Sequence, residues 1–294
     1  IARRSHRMSA PNTRNQHFWR DPALPFVELR RVADGHAVCY ERHSHDTFSI
    51  GTVKDGYSTY WNRGKTHETQ EGSVVILNPE DVHGCNPVKG ADWCYDMLFV
   101  DPDWLLDLQV EIDADAAGKF AMFSDTLSHD PHLYGGLLDL ADTLVNADID
   151  ILGKETALVS FFGDLHVRLN RRGVLDGSGR AGGSGGSVHD RKMIRVGDYI
   201  QTHYAETISL DDLADLAGYS RSYLVRAFKK TFGMTPYAYL INCRVQRARH
   251  ALRRGEKIVD VALETGFADQ AHFQRMFKRL MATTPRQYAR VQAA

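Results

Sequence analysis

The feature that most constrains this chain is a block that occurs twice near its end. Residues 209–232 read SLDDLADLAGYSRSYLVRAFKKTF, and residues 258–280 read IVDVALETGFADQAHFQRMFKRL. With Leu210 set against Ile258, Leu213 meets Val261, Ala214 meets Ala262, Gly218 meets Gly266 and Tyr219 meets Phe267. One extra residue enters after that turn. Leu224 then meets Phe273, Phe228 meets Phe277, Lys229 meets Lys278, Pro236 meets Pro285 and Tyr239 meets Tyr288. Two copies are too few to build a solenoid, so the repeat predicts two sister subdomains.

Each copy reads as helix, short turn, helix. In the first, Ser209 is placed to cap a helix, with Asp211 and Asp212 in its first turn, where carboxylates suit the helix dipole. Leu210, Leu213, Ala214 and Ala217 recur at helical spacing, and Gly218 ends the run. Ser220 caps a second helix. It carries Tyr223, Leu224, Ala227 and Phe228 on one face and Arg221, Arg226, Lys229 and Lys230 on another. This pattern predicts a helix-turn-helix with a basic face. The residues 217–239 (AGYSRSYLVRAFKKTFGMTPYAY), the block 258–279 and the TPRQY that follows resemble the DNA-binding module of the AraC/XylS family of transcription regulators. The resemblance covers about Ile194 to Arg290. It implies two helix-turn-helix units, about 209–232 and 258–280, joined by one long helix over Pro236 to Arg254. One position departs from the family: Ala282 stands where the first unit has Gly233, at a site that favours glycine if its φ is positive.

Charge supports a nucleic-acid partner for this part alone. The net charge is −1, with 36 Lys and Arg against 37 Asp and Glu. From Val188 onward there are 18 Lys and Arg against 10 Asp and Glu, a charge of +8, so the remainder carries −9. A basic module joined to an acidic one fits a DNA binder whose other half stays off the DNA. No apolar run is long enough for a transmembrane helix. The opening IARRSHRMSAPNTRN lacks an apolar core and reads as a disordered arm over 1–15, not as a secretory signal. Cys39, Cys85, Cys94 and Cys243 have no metal-type spacing and read as cytosolic thiols.

Residues 16–172 read as a separate α+β domain. Short β-branched and aromatic runs at 26–30, 37–40, 48–53, 57–61, 72–77 and 93–99, punctuated by Gly, Asp and Pro, predict an antiparallel barrel or jelly roll. His43-Ser-His45 and, further on, Gly72, Pro79 and His83 resemble the two-part cupin pattern found in the sensor domains of AraC-type regulators. Metal-binding cupins carry a Glu three or four residues after the His pair, where this chain has Ser49 and Ile50. The metal reading therefore rests on His43, His45 and His83 alone, and the reading preferred is a metal-free pocket. Candidate effector-binding residues are His43, His45, Tyr60, Trp61, His83, Trp93 and Tyr95. Two amphipathic stretches, Leu133 to Asn146 and Lys154 to Arg171, resemble dimerisation helices. Residues 173–188, rich in Gly and Ser, form a linker, and 189–294 the DNA-binding domain.

In the helix-turn-helix units, outward positions of the second helices are Arg221, Ser222, Val225 and Arg226, then Gln270, Ala271, Gln274 and Arg275. Arg pairs bidentately with guanine, Gln with adenine, and Val or Ala meets a thymine methyl. The family resemblance places base contacts at Ser222, Val225, Arg226, Ala271 and Arg275. Arg244, Arg247, Arg249, Arg253 and Arg254 divide between phosphate contacts and a solvated face. The expectation is a cytoplasmic, homodimeric activator that binds promoter DNA, works with RNA polymerase, requires no cofactor and responds to a small molecule in its barrel. The competing readings are an architectural DNA binder with no effector, against which the acidic barrel domain and the long linker speak, and an enzyme, a three-His cupin dioxygenase or isomerase. The missing Glu, and the lack of any paired acid/base or Ser/His/Asp arrangement, speak against it.

Overall fold

The structure is a computed structural model that describes residues 16–35, 40–88, 91–113, 120–175 and 188–290. Its first half is an antiparallel sheet of eight strands, wound around β3 (Phe48–Asn62), with every pairing antiparallel. The first part of β3 pairs with β5 (Val74–Leu77) and β7 (Trp93–Val100); its second part pairs with β4 (Lys65–Gln70) and β6 (His83–Pro87). The sheet continues from β7 through β2 (Val27–Val32) to β1 (Gln16–Trp19), and from β5 to β8 (Leu127–Ser128).

The predicted strands at 48–53 and 57–61 are thus one strand. Gly and Asp between them mark a bulge, not a turn: the register against β7 shifts between Val53 and Asp55. Gly56 makes this possible, because at φ 81° a Cβ there would lie 1.6 Å from the Asp92 carbonyl oxygen. Of the strand expected at 37–40, Tyr40 lies outside any strand and the rest lies outside the described residues.

Side chains alternate across this sheet as the pleat requires. Phe48, Ile50, Val74, Ile76, Leu98 and Val100 face three helices, α1 (Pro102–Ile112), α2 (Pro131–Val145) and α3 (Ile151–Leu175). Leu137, Leu140, Ala141 and Leu144 of α2 and Leu158, Phe162 and Leu165 of α3 complete that core. Burial of each such side chain contributes on the order of 2 kcal/mol. The helices expected to mediate dimerisation pack their buried side chains on their own sheet, while Leu152 and Val159 remain exposed. Residues 173–175 continue α3, and the rest of the Gly/Ser stretch, 176–187, lies outside the described residues, as does the arm 1–15.

The second half is all helical: α4 (Val188–Thr202), α5 (Leu210–Ala217), α6 (Arg221–Phe232), α7 (Pro236–Arg253), α8 (Ile258–Glu264), α9 (Gln270–Met281) and α10 (Pro285–Ala289). The two helix-turn-helix units are α5–α6 and α8–α9, and α7 joins them. Ser209 closes a capping box with Asp212, and Ser220, Thr235, Asp269 and Thr284 each accept a backbone N–H as caps. Lys257 starts α8 without a side-chain cap, so the second unit lacks the counterpart of Ser209. Leu224, Ala227 and Phe228 fill one small core, and Phe273, Phe277 and Tyr288 another.

Ala282 ends α9 in the left-handed region, φ 51° and ψ 20°, where Gly233 ends α6 at φ 75°. The conformation is the same and the residue is not, so α9 carries a Cβ in a region that disfavours it. Ala282→Gly is expected to stabilise the chain by about 1 kcal/mol, read as a rise in the midpoint of thermal or urea unfolding.

Candidate nucleic-acid interface and effector cavity

The exposed face of α6 carries Arg221, Ser222 and Arg226, with Val225 half-buried beside them. On α9, Gln270, Ala271, Gln274 and Arg275 are all exposed. The residues that alternate with them, Leu224 and Phe228, Phe273 and Phe277, are fully buried. Helical periodicity thus separates a core face from a polar face in both units. Arg221 pairs with Asp211 of α5, Nε to Oδ1 at 3.2 Å, with both side chains about two-thirds exposed. Such a pair contributes little to stability but sets the direction of the guanidinium at the start of the helix.

The arginines of α7 divide differently from expectation. Arg244 donates to the carbonyls of Tyr204 and Glu206, tying α7 to the segment after α4. Arg254 pairs with Glu256, and Arg247 is exposed. Arg249 meets neither phosphate nor solvent. It is 1% exposed and bonds to Glu28 of β2 (Nη2 to Oε1, 3.3 Å) and to the hydroxyl of Tyr288 (2.9 Å). Arg253 donates to the Pro25 carbonyl and approaches Glu28 at 3.9 Å.

Glu28 is the hub of this contact. It is wholly buried and accepts from Arg20 at 2.6 Å, Arg249 at 3.3 Å and the Tyr288 hydroxyl at 3.1 Å. Burial alone raises its pKa, but Arg249, then Arg20 and Arg253, outweigh that and lower it from 4.5 to about 2. Around the hub, Asn242 and Ser44 exchange two hydrogen bonds, His250 meets Asp46 at 2.8 Å, and Arg279 pairs with Glu41. These contacts lock the helical module over the mouth of the sheet domain.

That mouth opens on a cavity. Its volume is ≈ 60 Å³. The sheet supplies Arg30, His43, His45, Tyr60, His83, Trp93, Tyr95 and Phe99; the helical module supplies Arg249 from α7 and Leu280 and Met281 from α9. Six of the seven sequence-predicted effector residues are brought together here. Trp61 is not among them. Its neighbour Tyr60 faces inward, so strand alternation turns Trp61 out, where Arg42 lies 3.8 Å over its ring. A Cβ on Gly233 would come within 3.0 Å of Trp61, so the end of α6 also rests on the sheet domain.

The three histidines form a cluster, with ring centroids 4.4, 4.8 and 6.2 Å apart. Each directs Nδ1 at a backbone carbonyl: His43 at Glu41, His45 at Thr47, His83 at Asp81. A carbonyl only accepts, so Nδ1 carries the proton and Nε2 is an acceptor in all three. Burial, aided by His83, lowers the pKa of His43 to about 3; burial lowers His83 to about 4 and His45 well below its ordinary value. The cluster is neutral near pH 7. Among the described residues no group of three or more His, Cys, Asp and Glu is placed to hold a metal ion. Among the described residues Cys85, Cys94 and Cys243 are free, and no helix is long and apolar enough to cross a membrane.

A sheet domain enclosing a cavity, closed by a module of two helix-turn-helix units, defines a ligand-binding, DNA-binding protein. Residues 26–162 match the family model of the AraC-like ligand-binding domain, and residues 213–290 match that of a helix-turn-helix domain. The chain belongs to the AraC family of transcriptional regulators. It is 28% identical to the HTH-type transcriptional regulator YbfI of Bacillus subtilis over 79% of this chain and 81% of that one. It is 25% identical to the transcriptional activator RhaS of Escherichia fergusonii over 84% and 87% of the two chains. Crystal structures of ToxT from Vibrio cholerae share its fold, one with a TM-score of 0.54 at 13% identity, covering 94% of this chain and 95% of that one.

Sequence reasoning missed Arg30, Phe99, Arg249, Leu280 and Met281. The alternation Arg30–Arg31 in β2 offered a signal for the first. Arg249 offered none, because its partner Glu28 is 221 positions away.

The charge network sets an acid limit. Glu28 contributes stability that is whole above pH 4.5, its unfolded value, and is lost as the pH falls toward 2. Glu28→Gln is expected to lose about 3–5 kcal/mol near neutrality, since Arg249 is left buried without its counter-charge. The variant's stability should also fall less steeply than wild type between pH 4.5 and 2, measured by denaturant unfolding across that range.

Proposed function

We propose that this chain is a cytoplasmic transcription activator, acting as a homodimer with RNA polymerase, and that a small molecule in the cavity controls it. The observation that carries this reading is the cavity wall. Leu280 and Met281 end the same helix that exposes Gln274 and Arg275. Arg249 sits on the helix that joins the two DNA-reading units. A molecule in the cavity therefore touches both domains, and its differential affinity for docked and undocked arrangements can shift which one predominates. The activator role follows the description of RhaS, and ligand control is supported by a ToxT structure described as bound to an unsaturated fatty acid. The reading assigns no catalytic step to any residue.

The DNA-reading residues in this proposal are Arg221, Ser222, Val225, Arg226, Gln270, Ala271, Gln274 and Arg275. Each second helix enters a major groove, and α7 fixes the spacing of the two. Selection from random duplexes by the full-length protein should return two boxes about one helical turn apart. Arg275→Ala should cost about 1–3 kcal/mol on the selected sequence and relax one base position. An equal loss on every sequence would make Arg275 a phosphate contact.

A further inference from the structure

A second, polar cleft lies between the two halves, with no lining residue in common with the sheet cavity. Its volume is ≈ 80 Å³. The sheet domain supplies Asp46 and Glu80, from the segments before β3 and β6. The helical module supplies Asn242, Gln246 and His250 of α7. These three stand four residues apart, so they form one polar stripe along the helix.

The two ends of the stripe are matched from across the cleft. Asn242 exchanges two hydrogen bonds with Ser44, and His250 meets Asp46 at 2.8 Å. Gln246, between them, is not matched. It is 8% exposed, and neither its Nε2 nor its Oε1 has a hydrogen-bond partner among the described residues. A buried amide with both ends unpaired is costly, and a position that needed only volume would be filled by Leu or Met at no such cost. The amide therefore calls for an occupant that brings one donor and one acceptor.

The rim of the cleft calls for a cation. Asp46 and Glu80 are both exposed there, and Asp46 is already engaged by His250. Partial desolvation, then the charge of Asp46, raise the pKa of Glu80, and the Ser44 hydroxyl and Arg247 offset them only in part. Such a carboxylate is short of positive charge. Arg247, the arginine on this wall, leans over the Tyr204 ring at 5.4 Å.

We propose that this cleft is a second binding site that takes a small amino-amide, its ammonium against the Glu80 carboxylate and its carboxamide paired with the side-chain amide of Gln246. Two amides placed edge to edge satisfy one donor and one acceptor on each side, and an ammonium on a carboxylate is a charge-assisted bond. The two ends of the ligand are then held by different domains, so binding favours the docked arrangement of the helical module. The site is independent of the effector proposed for the sheet cavity.

The test is calorimetric titration of the full-length chain with glycinamide and β-alaninamide, against propylamine, which lacks the amide, and propionamide, which lacks the ammonium. At least one amino-amide should bind about ten times or more tighter than both fragments. Gln246→Met should erase the preference over propylamine, and Glu80→Gln the preference over propionamide. Unfolding midpoints check that each variant stays folded, and either folded variant suffices for the comparison. No saturable binding of either amino-amide, binding no tighter than that of the fragments, or preferences that persist in the folded variants would each overturn the proposal. Any of these results leaves the sensor reading of the sheet cavity standing.

Discussion

Glu28 sits where a carboxylate is hardest to keep. It has no solvent exposure, and burial works against its charge. What holds it ionised is a set of donors: Arg20 just after the preceding strand and, from distant parts of the chain, Arg249 of the joining helix and Tyr288 of the last helix. Such a contact is all or none. With one donor withdrawn, the remaining charges stay buried and unmatched, which costs more than the pair returns in water. Docking of the helical module therefore rests on the whole network rather than on any one pair.

The cavity depends on that docking. Its sheet wall exists because β2, β3, β5 and β7 alternate, turning Ile50, Ile76 and Leu98 toward the helices and Val75, Leu77 and Phe99 toward the space within. Its remaining wall comes from Arg249, Leu280 and Met281, which belong to the DNA-binding module. Of the residues proposed to read bases, Gln270, Ala271, Gln274 and Arg275 lie on the same helix as Leu280 and Met281, about two turns earlier. In the proposed function, sensing and base reading thus share a rigid element, with no long relay between them.

Local chemistry was legible in the sequence; long-range pairing was not. The caps at Ser209 and Ser220, the turn at Gly218 and the left-handed site at Ala282 follow from the residues themselves, because each settles its own backbone within a few positions. The cluster His43, His45 and His83 was legible as a pattern, and His43 and His83 face one another as a bridge pair. The strands were less so. Gly56 read as a turn and is a bulge, since a glycine signals a positive φ without saying which structure needs it. Arg249 read as one of five equivalent cations on a basic helix. Its role depends on Glu28, 221 positions away, and nothing in the run of arginines distinguishes it.

The most direct test of the coupling is hydrogen exchange of the full-length chain with and without Glu28→Gln. Breaking the hub should raise exchange together in β2, in the end of α9 around Leu280 to Ala282, and along the buried face of α7, while α5 and the start of α6 keep their protection. A change confined to β2, with α7 and the end of α9 as protected as in wild type, would contradict the account, because the helical module would then be held by something other than the buried charge network.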